Sequence, residues 1–352
     1  GLQNDLLANG LLRRDGGGPD TPYTASNLEK NFKQLAFYDE YARGKGFLRS
    51  SGKAGRLRRW TRPIRLTTEF GGGVSADKRT KTNAVVTEYT TRLAKITGHD
   101  IAISKQNPNF HVFFMGEDDR EQLISRVQEI IPNINQASIA IFEKLQRSIH
   151  CLVFAFSDRE RRFEYTEAIA LIRSEHPDLM QKSCIHEELA QGLGLANDSP
   201  YARPSIFNDD DEFATLTRQD ELFLKMLYHP ELQPGMTIET ADPIVRKLAE
   251  AFVQAPWRHI GFHPQLDHRN RLRRKNSKAL SSCLAQTTCR LHPRASRRHR
   301  GPRNPSIVLV GQTVLNSAHD NWLHFFSPVA CLDKATVFVP IFVPMPAISA
   351  RF

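Results

Sequence analysis

The sequence predicts an α+β fold: a mixed sheet of about four or five strands, a long central helix and a helical C-terminal part. Three observations lead there. Between residues 60 and 173, short runs with the two-residue period of strands alternate with stretches of helical period. Residues 151–156 (CLVFAF) are continuously apolar, as a strand buried on both faces must be. Beyond residue 176 the pattern is helical only. The resulting order, β-α-β-β-α-β-β-α-α-α, belongs to neither a regular βαβ protein nor a sandwich.

Taken in order, residues 1–59 read as an extended arm with one short helix, since RRDGGGPDTPYT is rich in Gly, Asp and Pro while Leu28 to Tyr41 has helical spacing. Residues 42–59 are a basic, glycine-rich connection, and Arg58, Arg59, Trp60 and Arg62 read as basic surface entering the first strand. Ile64, Leu66, Thr68 and Phe70 alternate as in a half-buried strand that Gly71, Gly72 and Gly73 end. Ala76 to Ile96 is a helix with Gly98 as its stop. Ile101–Ser104 and Phe110–Met115 are strands around a QNPN turn. Glu117 to Ile131 is the next helix and Ala137–Leu145 a short one. Cys151–Phe156 and Tyr165–Arg173 are strands, and His176–Leu195 is the long helix. Thr217, with Asp220 three residues on, caps a helix to Tyr228 in a pattern close to a capping box. Pro243 is expected to open the last helix from its first position.

Composition restricts the function classes. Apolar residues make up 40% of the 352, enough for a core, and no apolar run reaches the length of a membrane-spanning helix. The formal charge of +10 suggests nucleic acid, but its distribution argues against that. Residues 257–352 carry 15 basic and 3 acidic residues, and residues 1–256 carry 33 and 35. The body is nearly neutral, and the basic stretch Arg269–Arg303 has no nucleic-acid-binding motif. Residues 255–352 lack coherent periodicity and are expected to be a basic, disordered or non-native tail; the alternative is a basic linker with a β-rich appendage. The domain proper is residues 60–254. Residue 1 is a glycine with no basic-then-apolar leader after it, so any membrane attachment is expected through a lipid anchor or signal segment already removed.

The chemistry is concentrated in residues 184–198, CIHEELAQGLGLAND. On a helix, Glu187 and Gln191 stand one turn apart with Glu188 beside them. This is the layout of H-E-x-x-H, two metal ligands at i and i+4 with a glutamate acting as base. The longer metzincin frame, H-E-x-x-H-x-x-G-x-x-H, reads here as E-E-x-x-Q-x-x-G-x-x-N. Glu188 falls on the general-base position and Gly194 on the turn glycine. Glu187, Gln191 and Asn197 fall where the histidines would be, and Asp198 follows. The frame looks zincin-like, with every zinc histidine replaced. Amide and carboxylate oxygens suit Ca²⁺, Mg²⁺ or Mn²⁺ better than zinc, so either no cofactor or a hard divalent cation is expected. His186 does not rescue the motif, because Ala190 is four residues on.

Downstream, Asp209, Asp210 and Asp211 precede Glu212 in a loop that either supplies oxygen ligands or solvates a turn; it lacks the sixth-position glycine of an EF-hand. His99 and His111 read as structural histidines. Ser148, Ser157 and Ser205 have no nucleophile-elbow context. Of five cysteines, Cys283 and Cys289 match no zinc spacing. Cys151 and Cys184 read equally as a disulfide or as two buried thiols.

The run from SCIHEELAQGLGLANDSPYARPSIFNDDDEF to LYHPELQPGM resembles the bacterial family catalogued as domain of unknown function 2927. LRRWTRPIRL, TGHDI, NFHVFFMGEDDR, HCLVFAFS and AIALIRSEHPDLMQKS resemble the same family's upstream segments, over about residues 20 to 252. The resemblance implies an exported, envelope-located or lipid-anchored proteobacterial protein with a zincin-like fold. An oxidising compartment favours the Cys151–Cys184 disulfide. No activity comes with it. Two functions are therefore carried forward: a non-catalytic role, binding a protein or peptide of the cell envelope, and a metal-dependent hydrolase using Glu188 as base.

Overall fold

The computed structural model describes residues 2–39, 50, 52–158, 160–208 and 210–254, and the backbone of Ser306–Val314. The readings made for residues 255–305 and 315–352, including Cys283, Cys289 and Cys331, lie outside the described residues, as do Asp209 and much of the basic connection.

Two helices precede the sheet, α1 (Leu2–Ala8) and α2 (Ala25–Phe37). The first departs from the expected extended arm: Leu2 and Leu6, one turn apart, pack beside Leu12 and Met180. The second begins in a capping box in which Thr24 and Asn27 exchange hydrogen bonds. Strand β1 (Ile64–Phe70) leads into α3 (Ala76–Thr97), which Ser75 caps and Gly98 closes in the left-handed region. Then come β2 (Ile101–Ile103), β3 (Phe110–Met115), a 3-10 turn at Glu117–Asp119, α4 (Arg120–Ile130) and α5 (Gln136–Glu143). Strands β4 (Ile149–Ser157) and β5 (Glu167–Arg173) form an antiparallel pair, followed by α6 (Asp178–Gln191), α7 (Arg218–Leu227) and α8 (Ile238–Gln254).

The last helix starts earlier than Pro243 suggests. Thr237 accepts the amide of Thr240 through its side chain and that of Ala241 through its carbonyl, so it nucleates the helix and Pro243 lies inside. Close to the N-terminus proline forfeits one backbone bond, and the amphipathic packing of the remaining turns holds the helix.

The sheet order is β2-β1-β3-β5-β4-β6, where β6 is Ser306–Val314. Strands β2, β1, β3 and β5 run parallel; β4 is antiparallel to β5 and to β6. The sheet is thus mixed, as expected for the α+β class. Every residue of β3 and β4 is buried, so both faces of the sheet are covered. Strand period explains how: Cys151 reaches α6 on one face, while Phe154, of opposite parity, stacks on Phe142 of α5 at 4.7 Å. Trp60 lies on Phe110 at 6.2 Å, and each fully buried ring of this kind stabilises the fold by about 1.5–3 kcal/mol.

Arg58 and Arg59, expected at the surface, are buried. The Arg59 guanidinium donates to the carbonyl of Leu232 at 2.8 Å and lies 5.2 Å from the Tyr228 ring. Arg59 thus braces the strand entry against the segment after α7, while Arg58 pairs with Asp39 at 3.4 Å. No helix among the described residues is long and apolar enough to cross a membrane.

Glu167, at the start of β5, is held by burial well above the ordinary carboxylate range, up to about 8, with Arg65 only partly opposing the rise. A carboxyl group with a raised native pKa favours the fold below its unfolded value and loses that contribution as pH rises through the native one. Glu167→Gln should therefore be near-neutral at pH 4.5 and stabilising by more than about 1 kcal/mol at pH 8. Urea unfolding at the two pH values measures this.

Candidate functional site

Helix α6 is the centre of the site, and its burial is the first unusual feature. From Cys184 to Gln191 every residue is buried, with Glu188 and Gln191 at 0% exposure and Glu187 at 5%. An amphipathic helix normally turns its polar face to water. Here the polar face turns inward, and carboxylates taken out of water demand local compensation.

Three contacts set the helix in place. The Cys151–Cys184 disulfide, with Cα atoms 5.9 Å apart, ties it to β4. Tyr89 of α3 donates its hydroxyl to the carbonyl of His186 at 2.7 Å, and its ring lies 3.9 Å from the imidazole. His186 Nδ1 accepts the amide of Leu216 at 3.0 Å. Burial pushes this imidazole down to about 3, so it is neutral and can accept at Nδ1. His186 is thus an internal brace, which its position in the sequence motif did not disclose.

The chain then turns sharply over the helix end. Gly194 has φ +130°, and a Cβ there would lie 2.3 Å from the carbonyl oxygen of Arg58. Only glycine satisfies both the backbone conformation and the close approach. Trp60 Nε1 donates to the carbonyl of Gly192 and the Tyr228 hydroxyl to that of Leu193, so carbonyls released at the helix end find partners.

Gln191 Nε2 donates to Asp198 Oδ1 at 3.0 Å, and Asn197 Nδ2 donates to the carbonyl of Gln34 at 3.0 Å. Oxygens of Glu187 and Glu188 lie within 4.8 Å of each other and of Cys151 Sγ. That sulfur belongs to the disulfide and cannot ligate as a thiolate. Two carboxylates remain, with Gln191 Oε1 as a further oxygen lacking a hydrogen-bond partner among the described residues. Calcium takes six to eight oxygens, more than this set supplies.

The acid-rich loop is a separate piece of architecture. Asp210 accepts the amide of Glu212, whose carboxylate pairs with Arg13 and Arg203. The carbonyls of Asp211 and Glu212 accept the amides of Leu12 and Arg13, so the N-terminal arm runs beside the loop. Of the loop acids, Asp211 reaches the site: with Glu187, His150, Leu2, Leu6 and Leu12 it lines a cavity of about 30 Å³, room for about one water. Helix α1 thus covers Glu187.

Asp220 organises the loop over α6, a role beyond the capping box that its spacing with Thr217 signals. Its carboxylate accepts from Ser205 Oγ at 2.5 Å and from the amides of Ile206 and Thr217 at 3.1 and 2.8 Å. Burial raises it to about 6, with those three hydrogen bonds opposing the rise. His99 and His111 are structural: one ring bonds the carbonyl of Arg62, the other lies 3.2 Å from Glu69.

Fold and site together define an α+β domain built around a buried acidic helix. Residues 25–247 match the family described as Protein of unknown function (DUF2927), and the chain belongs to that family. No curated protein and no solved structure matches it.

Two stability measurements probe this arrangement. Gly194→Ala should cost about 2–4 kcal/mol, from backbone strain together with the clash at Arg58; a loss below about 1 kcal/mol would mean that the turn relaxes freely. Replacing Cys151 and Cys184 together by alanine should cost about 3–4 kcal/mol for a closed loop of 33 residues, read by urea unfolding of the variant against the oxidised parent.

Proposed function

We propose that this chain is a non-catalytic binding protein of the bacterial cell envelope, on a zincin-like scaffold whose metalloprotease-type frame has become structural, and that its ligand is an extended peptide segment of another protein. The complete burial of Glu188 carries this reading. A general base must reach both a water and the substrate, and a glutamate at 0% exposure inside an enclosed helix meets neither. The internal bonds of Gln191 and Asn197 point the same way, since both side chains serve the fold. The disulfide is compatible with an oxidising compartment outside the cytoplasm.

A peptide as ligand is supported by the outer edge of β4. Ser306–Val314 lies antiparallel along it, with Ile307 opposite Phe156 and Val310 opposite Val153. The family match ends at residue 247, so the matched domain by itself leaves this edge to be paired from elsewhere. A nine-residue apolar edge strand is a template for strand addition.

Two assays on the full chain test the two halves of the reading. Peptide and glycan libraries with Ca²⁺, Mg²⁺, Mn²⁺ or Zn²⁺ should show no turnover; activity abolished by Glu188→Gln would overturn the non-catalytic role. In the double variant Leu309→Pro, Val310→Pro, β6 loses backbone donors. A labelled SIVLVGQTV peptide should then bind this variant at least tenfold more tightly than the parent. Equal or absent binding to both would sink the peptide reading.

A further inference from the structure

A second group of side chains, apart from the acidic helix frame, has the composition of a metal site. His150 is the second residue of β4, His176 follows β5, and Met180 lies in the first turn of α6. Antiparallel pairing brings the start of β4 to the end of β5, so residues 26 apart in sequence become neighbours. The imidazole centroids are 4.9 Å apart and the rings are tilted by 51°. All three side chains line one cavity of about 370 Å³, whose other walls include Leu2, Gln3 and Asn4 of α1. All three residues are more than nine-tenths buried, at 8%, 7% and 8% exposure.

The hydrogen bonding of the pair is asymmetric in an informative way. His176 Nε2 lies 3.1 Å from the carbonyl of His150, which fixes that nitrogen as the N–H and leaves Nδ1 with its lone pair. Ligating histidines are ordinarily oriented by such a backbone bond on the other nitrogen. Neither ring nitrogen of His150 has a hydrogen-bond partner among the described residues. A buried imidazole with two unused nitrogens costs stability without a compensating contact, and a metal ion would supply one. The spacing is suitable: two imidazoles on one ion with metal–nitrogen bonds of ~2.0 Å at a tetrahedral angle place their centroids about 5 Å apart.

We propose that His150, His176 and Met180 bind a soft monovalent cation, copper(I). The donor set is two imidazoles and a thioether, all neutral, which suits soft copper(I) better than zinc or a hard divalent ion. Cations near His176 favour a single charge, while Glu187 and Asp211 share the smaller cavity with His150 and Met180. The Lys78 ammonium donates to the carbonyl of His176, and the Arg173 guanidinium, which donates to that of Ile149, stands at the same end of the sheet. Met180 is four residues beyond His176, across the turn into α6, so the helix that carries Glu187 and Glu188 also carries this thioether. The site is independent of the peptide-binding role proposed above.

The experiment is an anaerobic titration of the full, disulfide-bonded chain, with Cys283, Cys289 and Cys331 replaced by serine so that no free thiol competes, with copper(I) supplied as its acetonitrile complex, against the chromophoric chelator bicinchoninate and without added thiol. One equivalent should be withdrawn from the chelator. His150→Ala and His176→Ala should each weaken binding at least about tenfold. Met180→Leu conserves volume and should leave the thermal midpoint within a few degrees. It should remove the sulfur shell from the copper X-ray absorption spectrum and weaken binding. No copper(I) withdrawn by the parent, or undiminished affinity in His150→Ala, would overturn the site. An unchanged spectrum in Met180→Leu would overturn the thioether ligand. One equivalent of Zn²⁺ bound in place of copper(I) would overturn the soft-cation assignment.

Discussion

The constraint on which the rest of the structure depends is the burial, on all sides, of the second half of α6, Cys184–Gln191. A helix with carboxylates at Glu187 and Glu188 is far more stable with one face in water, so enclosing it requires the surrounding chain to meet each polar demand locally. The carbonyl of His186 takes the Tyr89 hydroxyl, those of Gly192 and Leu193 take Trp60 and Tyr228, and Gln191 is tied to Asp198. The partners come from α3, the strand entry, α7 and the following loop, so distant segments are committed to positions that this helix defines. Gly194 shows how tight the commitment is, since the backbone at Arg58 occupies the space that a side chain there would need.

The same constraint explains the cover. After the turn at Gly194 the chain returns to α6, where the amide of Leu216 meets His186, and Asp220 ties Ser205 and Ile206 to Thr217 at the start of α7. Outside it runs the N-terminal arm, bonded to the backbone of Asp211 and Glu212 and joined to Glu212 through Arg13. Helix α1 completes the cover with Leu2 and Leu6. The family match begins at residue 25, so the pieces closing over Glu187 from the N-terminal side lie outside the matched region. The acidic helix and its closest braces lie inside the matched region, whereas α1 and Leu12 lie before it.

Legibility in the sequence followed the range of the interactions. Strand β1 and strand β3 were readable to the residue, because apolar period and glycine boundaries are local signals, and the capping box at Thr217 was readable for the same reason. Pro243 misled because the cap at Thr237 acts one turn earlier and outweighs a single lost backbone bond. Helix α1 is short, and its leucines acquire meaning only against Met180, which is remote in sequence. Arg58 and Arg59 read as surface because arginine usually is, and their partners, such as the Leu232 carbonyl, are visible only in three dimensions. The spacing of Glu187, Glu188, Gln191 and Asn197 offers them as one frame, but spacing is silent on exposure. Whether a carboxylate faces solvent depends on segments that cross over it. His150 and His176 were not singled out for a related reason: they belong to different strand ends, and only antiparallel pairing makes them neighbours.

That pairing links the two halves of the molecule's chemistry. Cys151 and His150 are consecutive in β4, and Cys184 and Met180 are one turn apart in α6. The disulfide therefore does more than join a strand to a helix. By fixing Cys184 against Cys151 it fixes the rotation and height of α6 against the start of β4, and so the height of Met180 against His150. The loop closing β5 to α6 carries His176 between them, held by its bond to the His150 carbonyl. The covalent tether thus acts together with the Tyr89 and Leu216 contacts to set the position of α6 against β4.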